Sequence, residues 1–306
     1  MNASLSARRA QYHVDGVLLL DKPRGYTSNQ ALQRAKRLLA ASKAGHTGSL
    51  DPIATGVLPL CFGEATKLSQ FLLDADKRYR AVFQLGVTTT TFDSEGEVLN
   101  ARPVAVDGRS LERVLADFRG EIEQIPPMYS ALKRDGRPLY EWARNGIELE
   151  RTPRRVRISE LTVRSLAGAR LEIDIVCSKG TYVRSLAHDI GERLGCGAHV
   201  AELRRLGVGD LDVDHAVTLE ALEGMPDPQT RARSLLPADR VLIAIPDVRL
   251  TTLATHYLLR GQPVSARHDH GPGWVRLYDA QDRFLGMGQV LDDGRVAPRR
   301  LMAQKA

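Results

Sequence analysis

The chain has 306 residues, 43% of them hydrophobic, and 43 Lys and Arg against 37 Asp and Glu give a net charge of +6. That length exceeds what one compact core usually fills and predicts one large domain with a smaller one. No run approaches the ~18 apolar residues of a membrane span and the opening MNASLSARRAQYHVDG has no apolar signal core, so membrane and secreted classes are excluded as expectations. Cys61, Cys177 and Cys196 are widely spaced, with neither a pairing framework nor CxxC metal spacing, and the expected setting is a reducing cytoplasm.

Residues 16–20 (GVLLL) predict a short buried strand, ended by the turn-rich DKPRG that follows. Thr27 or Ser28 can cap a helix in which Leu32, Ala35, Leu38 and Leu39 recur at helical spacing, leaving Arg34, Lys36 and Arg37 on its other side. Residues 45–56 read GHTGSLDPIATG and have little to bury, so they form a loop. Gly45, Gly48 and Gly56 permit positive φ and close approach of a ligand, while Pro52 restricts Asp51 to extended geometry. An ordinary Asx-type turn at Asp-Pro is the competing reading of that loop. Residues 57–61 form a brief apolar strand, and residues 64–73 a short helix burying Leu68, Phe71 and Leu72. Residues 78–86 alternate, with Tyr79, Ala81, Phe83 and Leu85 on one face; Tyr79 ends that face, where its hydroxyl can meet a pocket.

Residues 88–96 are polar and turn-rich, and residues 111–118 predict a helix. A proline-stiffened segment at 124–133 leads to a short helix within 137–146 that carries Tyr140 and Trp142. Strands are predicted at 156–163 and 171–177, the second broken by Ser178-Lys179-Gly180. Thr181 can cap the next helix, with Val183, Leu186, Ile190 and Leu194 buried and Arg184 in the first turn. Residues 200–206 are short and mixed, and residues 226–237 are proline-, arginine- and serine-bearing and read as irregular. The domain boundary is placed near Pro246. Beyond it, a helix at 253–260 and strands at 274–278 and 284–290 make a small β-rich module.

Asp51, Tyr79 and Arg184 sit at loop, strand-end and helix-start positions, where a scaffold presents catalytic groups. A buried carboxylate needs a cation or donors to stay ionised, and Arg184 offers both in a planar fork; an aromatic ring beside it gives a base a stacking surface. Basic residues cluster as Arg34/Lys36/Arg37, Lys77/Arg78/Arg80, Arg151/Arg154/Arg155/Arg157 and Arg204/Arg205. Any one cluster is ordinarily solvated surface, but together they favour a polyanionic partner. A carboxylate acting on a nucleotide taken out of its stack is one of several chemistries that this set can support. The glycine loop lacks the GK[ST] of a P-loop, Gly48-Ser49-Leu50-Asp51 is not a GxSxG elbow, and neither HExxH nor a zinc-spaced Cys/His cluster occurs. Among the histidines, His268 and His270 read as a solvated tail pair, whereas the glycines beside His46 leave it accessible.

The stretch GHTGSLDPIATGVLP resembles the catalytic motif of the bacterial pseudouridine synthases that act on the tRNA T-loop at uridine-55. GVLLLDKPRGYTS, DKRYRAVFQLG, IPPMYSALKRDGRPLYEWARNG and CSKGTYVRSLAHDIGERLGCGAHVAELRRL resemble that family's successive blocks in order, from about Gly16 to Leu206. The C-terminal segment is similar to the family's small RNA-binding module. The resemblance implies an α+β pseudouridine synthase fold, with a long mixed, mostly antiparallel sheet flanked by helices, the cleft across its middle, and a small C-terminal β-barrel-like (PUA-type) unit. The implied division is 1–245 for catalysis and 246–306 for RNA binding. By the same resemblance Asp51 is the essential aspartate, Tyr79 stacks on the target base, and Arg184 pairs with Asp51. His46 helps hold the T-loop open, Tyr182 and Leu203 contact RNA or line the pocket, and Lys22 and Pro23 pack behind the site. Neither cofactor nor metal is implied; the partner is the tRNA T-arm, met by a stand-alone monomer, with Lys77, Arg78, Arg154 and Arg155 expected on phosphates. The sequence is also compatible with a non-catalytic RNA-binding protein or tRNA-folding chaperone, and with a guide-RNA-dependent pseudouridylase, although no partner-binding extension is evident.

Overall fold

The computed structural model describes residues 14–303; the polar opening, expected to lack a signal core, lies almost wholly outside them. The apolar run becomes β1 (Gly16–Lys22), which continues through Asp21 and Lys22 because both still pair with the neighbouring strand. Thr27 caps α1 (Ser28–Leu38) in a reciprocal box with Gln30, the arrangement that satisfies two otherwise orphaned amides at a helix start. The chain then forms β2 (Ala44–His46), β3 (Thr55–Phe62), α2 (Ser69–Asp74) and β4 (Lys77–Leu85). Strand β4 buries every second residue from Lys77 to Leu85, as the alternation predicts.

The polar stretch holds a small ribbon, β5 (Val87–Thr89) with β6 (Val98–Ala101), ahead of α3 (Gly108–Ala116) and β7 (Gly120–Gln124). A two-residue ribbon of β8 (Lys133–Arg134) and β9 (Arg137–Pro138) precedes α4 (Leu139–Arg144). Two long strands follow, β10 (Arg154–Ala167) and β11 (Arg170–Cys177), then α5 (Val183–Arg193) and β12 (Ala198–Val208). Residues 200–206, short and mixed in sequence, thus belong to an eleven-residue strand. Its alternation is masked in sequence because Arg205 is buried while Arg204 faces Asp21 at 2.7 Å. Short pieces close this part: β13 (Leu211–Asp212), β14 (Val217–Thr218), α6 (Leu219–Gly224) and α7 (Pro228–Ala232). The last is a helical turn inside a stretch expected to be irregular, started by Asp227, whose side chain accepts from Thr230 N.

These strands form a ten-stranded sheet whose main path runs β14-β1-β3-β12-β4-β11-β10-β7, with β2 on β3 and β13 on β12. Most pairs are antiparallel; β1 with β14 and β3 with β12 are parallel. One line of register crosses the middle: Lys22 faces Gly56, Gly56 faces Arg205, Arg205 faces Tyr79, and Tyr79 faces Ile175. Leu18, Leu20, Leu58, Leu60, Phe83 and Ile173 pack on one face of the sheet against Ala31, Ala35, Leu186 and Ile190 of α1 and α5. Val17, Leu19 and Cys61 point the other way, toward Leu68, Leu72, Val241 and Leu242. The chain ends in β15 (Asp247–Arg249), α8 (Thr252–Leu259), β16 (Gly273–Tyr278), β17 (Phe284–Val290) and β18 (Val296–Leu301), a four-stranded sheet in that order. Two of its strands match the expected ones; β15 and β18 are additional. All three cysteines are free and buried, and no described helix is long and apolar enough to cross a membrane.

Two local expectations give way. Gly45 has no positive φ, unlike Gly48 at 92° and Gly56 at 101°. Thr181 does not cap α5: its hydroxyl donates to Ser178 O, and Tyr182 takes the cap position without a side-chain cap bond. The α5 start is instead gripped from outside by Gln124, which accepts from Tyr182 N at 2.8 Å and donates to Tyr182 O at 3.0 Å.

Helix α5 approaches β12 so closely that a Cβ on Gly191 would lie 2.2 Å from Ala198 N. Backbone cannot swing aside as a side chain can, so Gly191→Ala is expected to cost about 2 kcal/mol or more. Urea unfolding should show a lower midpoint, and an unchanged midpoint would contradict the close approach.

Candidate active site

The glycine loop is held from beneath by the segment that follows β1. Ser28 Oγ accepts from Leu50 N at 2.7 Å and donates to Leu50 O at 3.1 Å, while Gly25 N donates to Pro52 O at 2.8 Å. Ala54 N closes the turn on Asp51 O at 3.0 Å. Asp51 therefore projects from a loop whose backbone is fixed on both sides, with its side chain 39% exposed toward the cleft.

Arg184 meets it from the first turn of α5. Its Nε lies 2.8 Å from Asp51 Oδ2 and its Nη2 lies 3.2 Å from Oδ1, a two-pronged contact of the kind that fixes direction as well as charge. The remaining donors go to Tyr129 O at 2.7 Å and Thr91 O at 3.0 Å. Asp93 Oδ2 stands 3.6 Å from Nε, and both Asp93 and Arg184 side chains are 5% exposed. Asp93 is itself steadied by the Thr91 hydroxyl and by Glu95 N at 3.0 Å. One buried guanidinium thus balances two carboxylates, of which only Asp51 reaches open space.

A cleft of about 850 Å³ opens over this pair and is lined by Asp51, Tyr79, Arg184, His46, Tyr182 and Leu203. The structure brings all six of the expected site residues together. Tyr79 is 9% exposed, and burial raises its phenol above the ordinary value, with Arg205 the largest opposing influence. Burial, then the Arg205 charge, lowers the His46 imidazole; its Nδ1 is buried without a partner among the described residues. Glu95 also lines the cleft, its carboxyl raised chiefly by burial and then by Asp93 and Asp51. Lys22 is fully buried, donating to Tyr26 O at 2.6 Å and Pro23 O at 3.0 Å. Burial lowers it to about 8 despite the attraction of Asp51 and Glu95. Among the described residues no group of three His, Cys, Asp or Glu could hold a metal ion.

The expected phosphate contacts divide. Arg154 and Arg155 are exposed on β10. Lys77 is buried, with its ammonium on Leu73 O at 2.6 Å and on Ala75 O. Arg78 is engaged by Asp212 at 2.8 Å. Asp93 and Gln124 do not stand out in the sequence, and Arg205 does so only as half of a basic pair, since polar residues that become buried carry no local mark of it.

Residues 36–183 match the family described as "TruB family pseudouridylate synthase (N terminal domain)", residues 184–243 the "tRNA pseudouridylate synthase B C-terminal domain", and residues 246–302 "Pseudouridine synthase II TruB, C-terminal". The sheet and its cleft are those of a pseudouridine synthase, an isomerase. The chain is 56% identical over 96% of its length to tRNA pseudouridine synthase B of Stutzerimonas stutzeri, covering 98% of that protein. It is 53% identical to the same enzyme of Pseudomonas aeruginosa, with 96% and 98% coverage. Among solved structures, it aligns with a chain of a Cbf5-Nop10-Gar1 complex at TM-score 0.72 and 26% identity, covering 96% of this chain and 85% of that one. The chain belongs to the tRNA pseudouridine synthase B (TruB) family.

The Lys22 ammonium supplies a pH test with a defined sign. Its folded-state value of about 8 lies below the ordinary 10.5, so between these limits the unfolded chain holds more protons and stability rises with pH. Relative to Lys22→Met, the wild type should gain stability as urea unfolding is repeated from pH 8 toward pH 10. A difference that stays flat or runs the other way would mean that Lys22 is not strained by burial.

Proposed function

We propose that this chain converts uridine-55 in the T-loop of tRNA to pseudouridine, with Asp51 as the nucleophile. The observation that carries the proposal is the two-pronged Arg184–Asp51 contact, 2.8 and 3.2 Å long, at the foot of a cleft lined by Tyr79. The family membership supplies the reaction class and the tRNA substrate. The reaction is an isomerisation: the bond from N1 to C1′ breaks, the base turns, C5 bonds to C1′, C5 gives up its proton, and N1 gains one. No redox change or group donor enters the balance.

A nucleophilic carboxylate must be ionised, correctly aimed and open to its target. Arg184 fixes both oxygens, while the 39% exposure of the Asp51 side chain leaves them reachable. The target base lies within a folded T-loop and has to be flipped out at a cost of a few kcal/mol. Tyr79 offsets part of this by stacking, Tyr182 and Leu203 enclose the ring, and His46, its imidazole lowered by burial, enters the space that the uridine leaves. Tyr79, or a water beside it, receives the C5 proton.

Residues 1–245 act as the catalytic domain and residues 246–306 as an RNA-binding module, with Arg154 and Arg155 on phosphates, and the chain works as a monomer without a protein partner. Affinity for tRNA should then fall as salt rises. Incubation with an unmodified tRNA transcript, followed by pseudouridine mapping, should give one modified position in the T-loop. Asp51→Asn should bind the transcript normally and make no product; turnover by that variant would remove Asp51 from the chemistry. Arg184→Ala should lose about 100-fold or more in kcat with little change in KM, as misaimed reacting groups do. Equal losses in both would make Arg184 a phosphate contact.

A further inference from the structure

Arg205 is among the largest fully buried side chains of the described residues, only 1% exposed, yet it borders the cleft. Among those residues it has no ion pair within 4.0 Å, and neither do its buried neighbours Lys22 and Lys77. Removing a guanidinium from water without a counter-charge is strongly unfavourable before its hydrogen bonds are counted. A side chain retained at that cost is held by what it bonds to. Its Nε donates to Val57 O at 2.6 Å and its Nη2 to Gly48 O at 3.4 Å, and Tyr79 is its cross-strand partner on β4, lining the same cleft.

These partners bracket the nucleophile. Gly48 precedes Asp51 by three positions and Val57 follows it by six, so one guanidinium joins the two ends of the loop that presents the carboxylate. The sheet explains how a single side chain reaches all of them. Tyr79, Arg205, Gly56 and Lys22 lie in register on four adjacent strands, and residues in such a row project to the same face. Gly56 leaves a gap in it: φ is +101°, and a Cβ there would stand 2.1 Å from Arg205 O. The backbones of β3 and β12 close up through that gap, bringing the guanidinium onto the loop on one side and the phenol on the other.

We infer that Arg205 is a positioning residue that couples the Asp51 loop to the Tyr79 phenol, so that carboxylate and ring present one fixed geometry to the flipped base. This rests on the proposed isomerisation at Asp51. Arg205 does not touch the substrate: its burial keeps it from phosphates, and its action passes through Gly48, Val57 and Tyr79. The charge also bears on the phenol, which faces Cys177 and Asp51 as well as Arg205, while Lys22, Lys77 and His46 crowd the guanidinium from β1, β4 and β2.

The test compares the wild type, Arg205→Lys, Arg205→Met, Tyr79→Phe and the Arg205→Met/Tyr79→Phe double variant on an unmodified tRNA transcript. Arg205→Met should lower kcat about 100-fold, the usual effect of displacing reacting groups by an ångström, with KM within about 3-fold of the wild type. Arg205→Lys, which keeps the charge but can make fewer of the bonds, should recover part of kcat. Adding Tyr79→Phe to Arg205→Met should cost less than it does in the wild type, as for two groups acting through one contact. Ultraviolet titration, read as the difference between variants with and without Tyr79, should show the phenol ionising at higher pH once Arg205 is Met.

Unchanged kcat in Arg205→Met overturns the inference, as do a raised KM at constant kcat, full additivity with Tyr79→Phe, or a phenol titration that does not move. If Arg205→Met does not fold, Arg205→Lys decides: reduced kcat at constant KM supports the coupling, and wild-type kinetics overturn it. A wild type that makes no pseudouridine, or an active Asp51→Asn, would instead overturn the underlying assignment of the site, leaving a different signature from any failure at Arg205.

Discussion

A guanidinium with 5% exposure, set between two carboxylates, is the constraint on which the site depends. Arg184 could not be left alone in that environment, because a lone buried charge costs several kcal/mol. Arg184 resolves the problem by spending its donors on four groups: Asp51, Asp93 close by, and the carbonyls of Thr91 and Tyr129. Those groups come from three separate stretches of chain, so the cleft is assembled only when the sheet, the α5 start and the loop after β5 are all in place. The site is therefore a global product of the fold, even though its best-marked motif is local.

The sheet supplies the precision that this convergence needs. Its central rows put Lys22, Gly56, Arg205 and Tyr79 on neighbouring strands, and the loop bearing Asp51 leaves the sheet at His46, opposite Leu60, and re-enters it at Gly56 in that row. Rigid strands beneath a short, pinned loop are a better mount for a reacting group than a longer free loop would be. Gln124 plays the corresponding part for Arg184 by holding both backbone groups of Tyr182 at the helix start. The Asp51 loop and the α5 start are thus each gripped at the backbone by another element, and the two side chains they carry are locked to each other.

Much of this is legible in the residues, and what is not has a common physical cause. The alternation around Tyr79, the capped α1 and the glycine loop carry local patterns, and β4, α1 and the Asp51 turn follow them. The resemblance of successive blocks brings Asp51, Tyr79, Arg184, His46, Tyr182 and Leu203 forward, and they share one cleft. The residues that escape are polar ones whose burial depends on distant partners. Asp93 lies in a run of threonines and turns, and only the fold brings Arg184 to it. Arg205 sits beside Arg204 and looks like half of a surface cluster, but consecutive strand residues face opposite ways and the two have unrelated environments. Lys77 departs from its expected place on phosphates for the same reason: a cation can be buried when carbonyls at a chain turn receive it.

The tail sheet pairs only within itself, so near Pro246 the chain passes from one hydrogen-bonded network to another. Its apolar contacts do not respect that division. Met287 is fully buried in the same cluster as Val17, Leu19, Leu68 and Leu72, Phe71 meets Trp274 edge to face at 4.9 Å, and Lys67 reaches across to Leu301 O at 2.9 Å. Cutting the chain at that point would bare a strip of oily surface on both halves, leaving fragments prone to clump. A border drawn by backbone pairing is thus not a seam along which the protein can be taken apart.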